Sequence, residues 1–307
     1  MYDLIIIGGG PAGITAGIYA ARQKTKTLLI TKNFGGQITK KAVAIENYPG
    51  FEEITGLDLI KKFENHLRKF KDQVEIKIEE IVKVEKQENV FLVCTKNNVK
   101  FKSKVVIIAT GAGPRALDIP GEEEFIGKGV SFCAVCDGAV FSGKDVAVIG
   151  GGNSGFETAL FLSNIANKIY ILEYGSEPKA DREIQEIIKK SKKTEIIINA
   201  KLKEIKGDKF VHSLVYEDRV SKEEKTLKVE GVFVEIGLVP AGSIVKNLVD
   251  FNQMNEIKIK SENGETKTPG LFAAGDVNEG KYKQIVASCG EGAKAFLAAF
   301  DYLKKHN

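Results

Sequence analysis

The sequence has no tryptophan, 2 methionines, 3 histidines and 4 cysteines, and it lacks both a charge excess of one sign and a long apolar run at its start. Each shortage excludes something. Lys and Arg number 45 against 41 Asp and Glu, a net charge of +4 with the signs interspersed, which describes a solvated surface and gives no reason to expect a nucleic-acid partner. The N-terminal apolar stretch runs only from Leu4 to Ile7, between Asp3 and Gly8. That is too short for a signal peptide or a membrane span, and it reads as a buried strand. A cytoplasmic protein with no membrane partner is therefore expected, in a compartment where disulfides are rare and a close cysteine pair is more often catalytic or metal-binding. His66, His212 and His306 are scattered, and Cys94 and Cys289 stand far from the other cysteines, so a zinc site lacks ligands and no metal is expected. Scarce Met with abundant Lys and Glu is compatible with a thermophilic source.

What is present is glycine, 31 residues of it, in a chain of 307 residues. Single cores stop growing near roughly 250 residues, so about two domains are expected. A module repeats: Asp3 to Gly13 and Asp145 to Gly155 each run from an apolar strand through Gly-x-Gly-x-x-Gly into an alanine-rich helix, Ile14 to Arg22 in one copy and Phe156 to Ile165 in the other. A second strand follows each helix, Thr27 to Thr31 and Lys168 to Glu173. A lone glycine pattern is weak, but this β-α-β context makes it a dinucleotide fingerprint. Its glycines allow a tight turn, a backbone approach to pyrophosphate and close helix–strand packing, with the helix N-terminus facing negative charge. Gly8, Gly10, Pro11, Ala12 and Gly13 form the first copy, and Gly150, Gly152, Asn153, Ser154 and Gly155 the second.

Between the copies, Val74 to Ile78 and Val90 to Cys94 read as antiparallel strands inserted in the first domain. Three further strands close on glycine: Val105 to Gly111, Val232 to Gly237, and Leu271 to Gly275 with Asp276. The expected fold class is α/β, two Rossmann-like three-layer domains with the second inserted into the first. The first comprises 1–114 and 243–307, the second 115–242, with turn-rich joins at Gly113-Pro114 and Pro240-Ala241-Gly242. An alanine-rich helix follows Gly292.

Cys133 and Cys136 stand two residues apart, with Asp137 and Gly138 after them. A Cys-x-x-Cys pair suits a small dithiol loop in which one sulfur attacks and the other resolves the mixed disulfide. The alternatives are a zinc half-site and two structural cysteines. For Asp137 the alternatives are an acid–base group beside the dithiol and a turn aspartate before Gly138. Cys94, on an expected strand, and Cys289 read as packing residues.

Across essentially the whole chain these motifs resemble the low-molecular-weight thioredoxin reductase family. The matching residues are the two fingerprints, Cys133 to Gly138, Gly35-Gly36-Gln37, Ile45 to Gly50, Ala109-Thr110-Gly111, Gly275-Asp276 and Tyr282 to Ile285. The second half is also similar to the flavoprotein component of alkyl hydroperoxide reductase, in Leu172-Glu173-Tyr174 and Tyr282 to Leu303. That component carries an N-terminal thioredoxin-like region; this chain starts at the first fingerprint, so a separate electron acceptor is expected. The resemblance implies a homodimer with FAD on the first module and a nicotinamide dinucleotide on the inserted one. FAD would be held by the first fingerprint with Gly36, Gln37, Asn47, Thr110, Gly111, Gly275, Asp276, Lys283, Gln284 and Ile285. Gly237 would join the second fingerprint at the nicotinamide site. Cys136 would face the flavin and Cys133 would attack the partner disulfide. The inserted domain would rotate so that flavin meets the nicotinamide and the disulfide in turn. One departure is that Thr31 and Lys32 stand where an acidic ribose-binding residue is often found.

NADPH-dependent members carry a His-Arg-Arg run after the second strand of the nicotinamide module, and a later Arg. This chain has Glu173-Tyr174-Gly175 there, and Lys179 for the later Arg. A carboxylate at this point accepts hydrogen bonds from a free ribose 2′-OH and repels a 2′-phosphate. The expectation is NADH rather than NADPH; the alternative for Glu173 is a solvated surface residue. The expected function is a flavin-dependent disulfide reductase with Cys133, Cys136 and Asp137 as catalytic residues and a thioredoxin- or glutaredoxin-like protein as acceptor. The alternatives are the reductase component of a peroxiredoxin system and an oxygen-using dithiol oxidase.

Overall fold

The computed structural model describes residues 1–41 and 45–306, with the side chains of residues 40, 41, 135, 136 and 238 outside that description. The chain divides into two compact units, Met1–Gly113 with Val239–Asn307, and Pro114–Leu238.

In the first unit a sheet of strands Val74–Ile78, Thr27–Phe34, Tyr2–Gly9, Lys100–Ile108, Val90–Thr95 and Ile81–Gln87 forms in that order, and Leu271–Ala273 pairs with the end of Lys100–Ile108. Successive strand side chains point to opposite faces, so an unbroken apolar run requires cover on both. Leu4 and Ile6 join Val105 and Ile107 under the helices Pro11–Arg22 and Ile285–His306, where Ile14, Ala16, Phe296 and Ala299 complete one cluster. Ile5 and Ile7 join Val106 and Ile108 on the other face, beneath Val84, Phe91 and Val93. Each fully buried Leu or Ile contributes roughly 1.5–3 kcal/mol.

Two expectations are corrected. Val74–Ile78 is not part of the antiparallel insertion; it pairs in parallel with Thr27–Phe34, with Ile78 opposite Thr31. The antiparallel ladder is Ile81–Gln87, Val90–Thr95 and the start of Lys100–Ile108. The last helix begins at Ile285, not after Gly292.

The second unit repeats the layering. Strands Thr194–Ile197, Lys168–Leu172, Asp145–Ile149, Gly231–Val234 and Val130–Ser131 form a parallel sheet in that order. Val146 and Val148 face Phe156, Ala159 and Leu162 of the helix Asn153–Leu162. Ala147 and Ile149 face Val211, Leu214 and Tyr216 of a three-stranded antiparallel sheet.

The first and last helices meet at Gly292, where a Cβ would stand 2.1 Å from Ala12 O, whereas a Cβ at Gly290 meets nothing within 4 Å. Gly292→Ala should therefore destabilise the unit by about 1–3 kcal/mol through overpacking against backbone. Gly290→Ala, in an exposed helix interior, should stabilise by about 0.5–1 kcal/mol. Urea unfolding of both variants checks the opposite signs.

Candidate active site

Both fingerprints fold into the same loop. A Cβ at Gly13 would stand 1.9 Å from Gly8 O, and one at Gly155 would stand 1.9 Å from Gly150 O. Gly8 and Gly150 hold φ of +123° and +120°, values that favour glycine. At the third position the pattern reverses: Gly10 and Gly152 have nothing within 4 Å of a Cβ. The helices that follow, Pro11–Arg22 and Asn153–Leu162, have neither a side-chain cap nor an acidic residue in the first turn. Each helix N-terminus thus keeps its unpaired N–H groups and partial positive charge facing an open glycine, the arrangement that holds a phosphate.

In the first unit, adjacent parallel strands hand the expected residues to one sheet edge. Ala109 N–H donates to Ile7 O (2.8 Å) and Ala274 N–H to Ile108 O (2.9 Å), so Gly8 at the end of its strand, and Thr110, Gly111, Gly275 and Asp276 just past theirs, lie at neighbouring strand ends. Thr110 Oγ1 donates to Ala241 O at 2.7 Å. Glu291, which sequence reading passed over, organises the last of these segments. Its Oε2 accepts Gly275 N–H and Asn278 Nδ2, both at 2.7 Å. The Lys283 ammonium pairs with Glu256 Oε1 at 2.9 Å and also donates to Asn278 O. Asn47 Nδ2 donates to Gln284 Oε1 (3.3 Å), and Ile285 opens the last helix. Cys289 lies within that helix, with Tyr48 OH 3.8 Å from its Sγ; burial pushes its thiol up and Tyr48 up to about 12.

The residues present fit a flavin dinucleotide. Gln37 donates from Nε2 to Ala112 O at 2.7 Å while its buried Oε1 has no hydrogen-bond partner. Gly36 and Gly111 open onto space with nothing within 4 Å of a Cβ. Glu79 brings to the same strand ends the carboxylate that Thr31 and Lys32 do not supply. Its N–H donates to Thr31 O at 2.9 Å, and its buried Oε2 also lacks a partner.

In the second unit the parallel strands Lys168–Leu172, Asp145–Ile149, Gly231–Val234 and Val130–Ser131 end at one edge, followed by Glu173, Gly150, Glu235 and the Cys133 segment respectively. Glu173 is no freely solvated glutamate. Its Oε2 accepts Gly151 N–H at 2.7 Å and its Oε1 accepts Gly175 N–H at 2.6 Å, so the carboxylate is clamped against the glycine loop. A Cβ at Gly151 would stand 2.6 Å from that oxygen and 2.9 Å from the Glu173 Cβ, so a larger residue there would displace the clamped side chain. Arg219, also absent from the sequence reading, donates to Tyr174 O at 2.8 Å and lies over the Tyr174 ring at 4.0 Å. Asn153 and Asp181 exchange two hydrogen bonds (2.9 and 2.7 Å), and Ser154 Oγ donates to the buried Glu235 at 2.6 Å. Gly237 has φ +106° and open space around it, its carbonyl accepting Arg115 N–H at 2.9 Å.

Cys133 is buried and disulfide-bonded, whereas Cys94 and Cys289 are free. The side chain of Cys136, within the short helix Ala134–Asp137, lies outside the described residues. Asp137 N–H donates to Cys133 O at 3.1 Å, and Asp137 Oδ2 accepts from Ser131 Oγ at 2.6 Å. Among the described residues no cluster of His, Cys, Asp and Glu could hold a metal ion, and no helix is long and apolar enough to cross a membrane.

Burial pushes the Asp276 carboxyl above the usual carboxylate range, against the pull of the Lys283 ammonium. An acid raised in this way favours folding below its unfolded value of about 3.9 and loses that contribution as pH rises through its folded value. In dinucleotide-free protein, Asp276→Asn should therefore gain stability over wild type as pH rises from about 4 to 7. Paired thermal melts across that range check the sign.

Known proteins share this architecture. The chain is similar to thioredoxin reductase from Lactococcus lactis at 37% identity, TM-score 0.92, covering 99% of this chain and 100% of that one. Thioredoxin reductase from T. acidophilum matches at 36% identity, TM-score 0.87, covering 100% and 99%. Among curated proteins, a Bacillus subtilis protein named NADH dehydrogenase is 43% identical over 98% of this chain, and the F component of Staphylococcus aureus alkyl hydroperoxide reductase is 44% identical over 98%. The chain spans only 58% and 59% of the length of these two relatives. From residue 2 to residue 292 it matches the pyridine nucleotide-disulphide oxidoreductase family, and it belongs to that family.

Proposed function

We propose that the chain is a flavin-dependent disulfide reductase that carries electrons from NADH to the Cys133 disulfide and on to a thioredoxin- or glutaredoxin-like protein. The observation that carries this reading is a disulfide-bonded Cys133 beside Asp137, on the strand edge that also presents an open dinucleotide loop. FAD, when bound, takes a hydride from the nicotinamide and delivers two electrons to a disulfide. The first unit would hold it through Gly8–Gly13 at the pyrophosphate, Gln37 and Asn47 near the flavin, Asp276 along the ribitol phosphate, and Lys283–Ile285 at the ring edge. The second unit, with 115–242 as its functional extent, would hold the nicotinamide dinucleotide. Cys136 would take the electrons and Cys133 would attack the acceptor disulfide, with Asp137 carrying the proton. A cytoplasmic homodimer is the proposed form.

Glu173 supports NADH as donor. With one lone pair of each oxygen committed to a backbone amide, its remaining lone pairs are oriented acceptors for ribose hydroxyls, and its charge opposes a 2′-phosphate. Arg219 already has its guanidinium on Tyr174 O and the Tyr174 ring, which weakens its claim as a phosphate clamp. kcat/KM should favour NADH over NADPH by about 10- to 100-fold, roughly 1.4–2.8 kcal/mol. Glu173→Gln, which keeps an acceptor but loses the charge, should narrow the ratio mainly by improving NADPH. A wild-type preference for NADPH would overturn the assignment.

The similarity to the F component of alkyl hydroperoxide reductase favours a second reading, in which the acceptor serves a peroxiredoxin. Anaerobic NADH should bleach the flavin, and Cys136→Ser should trap the acceptor as a mixed disulfide on Cys133. An unbleached flavin would end the reductase reading. A trapped peroxiredoxin carrier would favour the second reading over the first.

A further inference from the structure

We infer that Ser131 is a positioning residue for Asp137, a hydroxyl placed to hydrogen-bond that carboxyl group in both its ionised and its protonated forms. The inference rests on the reading of Asp137 as the proton carrier. Ser131 is buried at the end of the strand Val130–Ser131, where Phe233 of the neighbouring parallel strand is its register partner. Its Oγ lies 2.6 Å from Asp137 Oδ2 and 3.2 Å from Cys133 O, and it accepts Cys133 N–H at 3.0 Å.

A hydroxyl has one hydrogen and two lone pairs. When Asp137 is ionised, the hydrogen points at Oδ2, and 2.6 Å is the short distance of an O–H donating to a carboxylate. One lone pair is meanwhile occupied by Cys133 N–H. When Asp137 is protonated, its own O–H donates to the second lone pair, and the Ser131 hydrogen turns to Cys133 O. That carbonyl is held in place by Asp137 N–H at 3.1 Å. Two acceptors around one rotatable hydrogen thus match two charge states of the acid with no movement of heavy atoms.

The chemistry gives this a use. With FAD bound, the two electrons of the NADH hydride would break the S–S bond and leave two thiolates, the hydride's proton being released to solvent. Asp137 passes its proton to one sulfur, making a thiol and a carboxylate, and the Ser131 hydrogen swings to the new negative charge. On exchange the thiolate displaces one sulfur of the acceptor disulfide, Asp137 takes the proton back from the thiol, and the thiolate so formed breaks the mixed disulfide and releases the second acceptor sulfur. The helix Asn153–Leu162, packed against this turn, brings one further titratable group, Glu157. The turn Gly138–Phe141 and the strand Gly231–Val234 bring none.

The test is the NADH-driven half-reaction of the holoenzyme, without an acceptor. Anaerobic enzyme is mixed with NADH and quenched with iodoacetamide, and the appearance of alkylated Cys133 is timed across pH. Asp137→Asn should slow it by about 10²-fold or more. Ser131→Ala should slow it by about tenfold and move the alkaline limb of the profile to higher pH, because an ionised carboxylate that loses a donor is disfavoured. Ser131→Thr should restore both the rate and the limb. An unmoved limb in Ser131→Ala, or no rescue by Ser131→Thr with an unchanged melting temperature, would overturn the inference. An Asp137→Asn protein with wild-type rate would instead overturn the proton-carrier reading beneath it.

Discussion

The contact on which both units depend is a helix backbone pressed against the carbonyl of the strand before it. Gly13 against Gly8 O, and Gly155 against Gly150 O, leave no room for a Cβ. Only that closeness brings the first turn of each helix over the strand end, so that its free N–H groups converge on the open position at Gly10 or Gly152. A methyl group at the contact would push the helix away and disperse the field that a pyrophosphate needs. Gly292 extends the constraint, since the last helix packs against the same turn at Ala12 O. The dinucleotide site and the helical layer of the first unit are therefore one packing problem.

In the second unit the same loop does a further task. Gly151 N–H is taken by Glu173, so the strand next door reports to the fingerprint through one hydrogen bond. A glutamate clamped by two amides has lost most of its rotamer freedom before any ligand arrives, and binding does not have to supply that ordering.

The layered fold was legible because its signals are local: strand, glycine turn and alanine-rich helix lie within one short segment, twice. Failures came where the deciding partner is distant or where a pattern carries no direction. Val74–Ile78 alternates as any half-buried strand does, and nothing in its residues shows whether it runs parallel or antiparallel to Thr27–Phe34. Glu291 sits between two glycines of a helix, and its bonds to Gly275 and Asn278 depend on tertiary packing. Glu173 was legible as a residue type at a known spacing, but its clamp was not. Ser131 was invisible because nothing in the sequence pairs it with Asp137; the pairing comes from a turn that folds Asp137 back onto it.

That turn stands on the same sheet as the second fingerprint. Val130–Ser131 is the edge strand of the parallel sheet, two strands from Asp145–Ile149. Neighbouring strands lie about 4.8 Å apart, which sets the Cys133 turn about 10 Å along the same edge from the Gly150 loop. In open parallel sheets, ligands bind at the carboxyl ends of the strands, where side chains from neighbouring strands reach a common space. A disulfide on a free loop would leave its sulfur and the neighbouring carboxyl group free to drift apart. Carried on a strand end and closed by Ser131, the cysteine backbone and the Asp137 carboxyl share one anchor. The spacing of the Asp137 carboxyl from the Cys133 backbone is then set by the strand end.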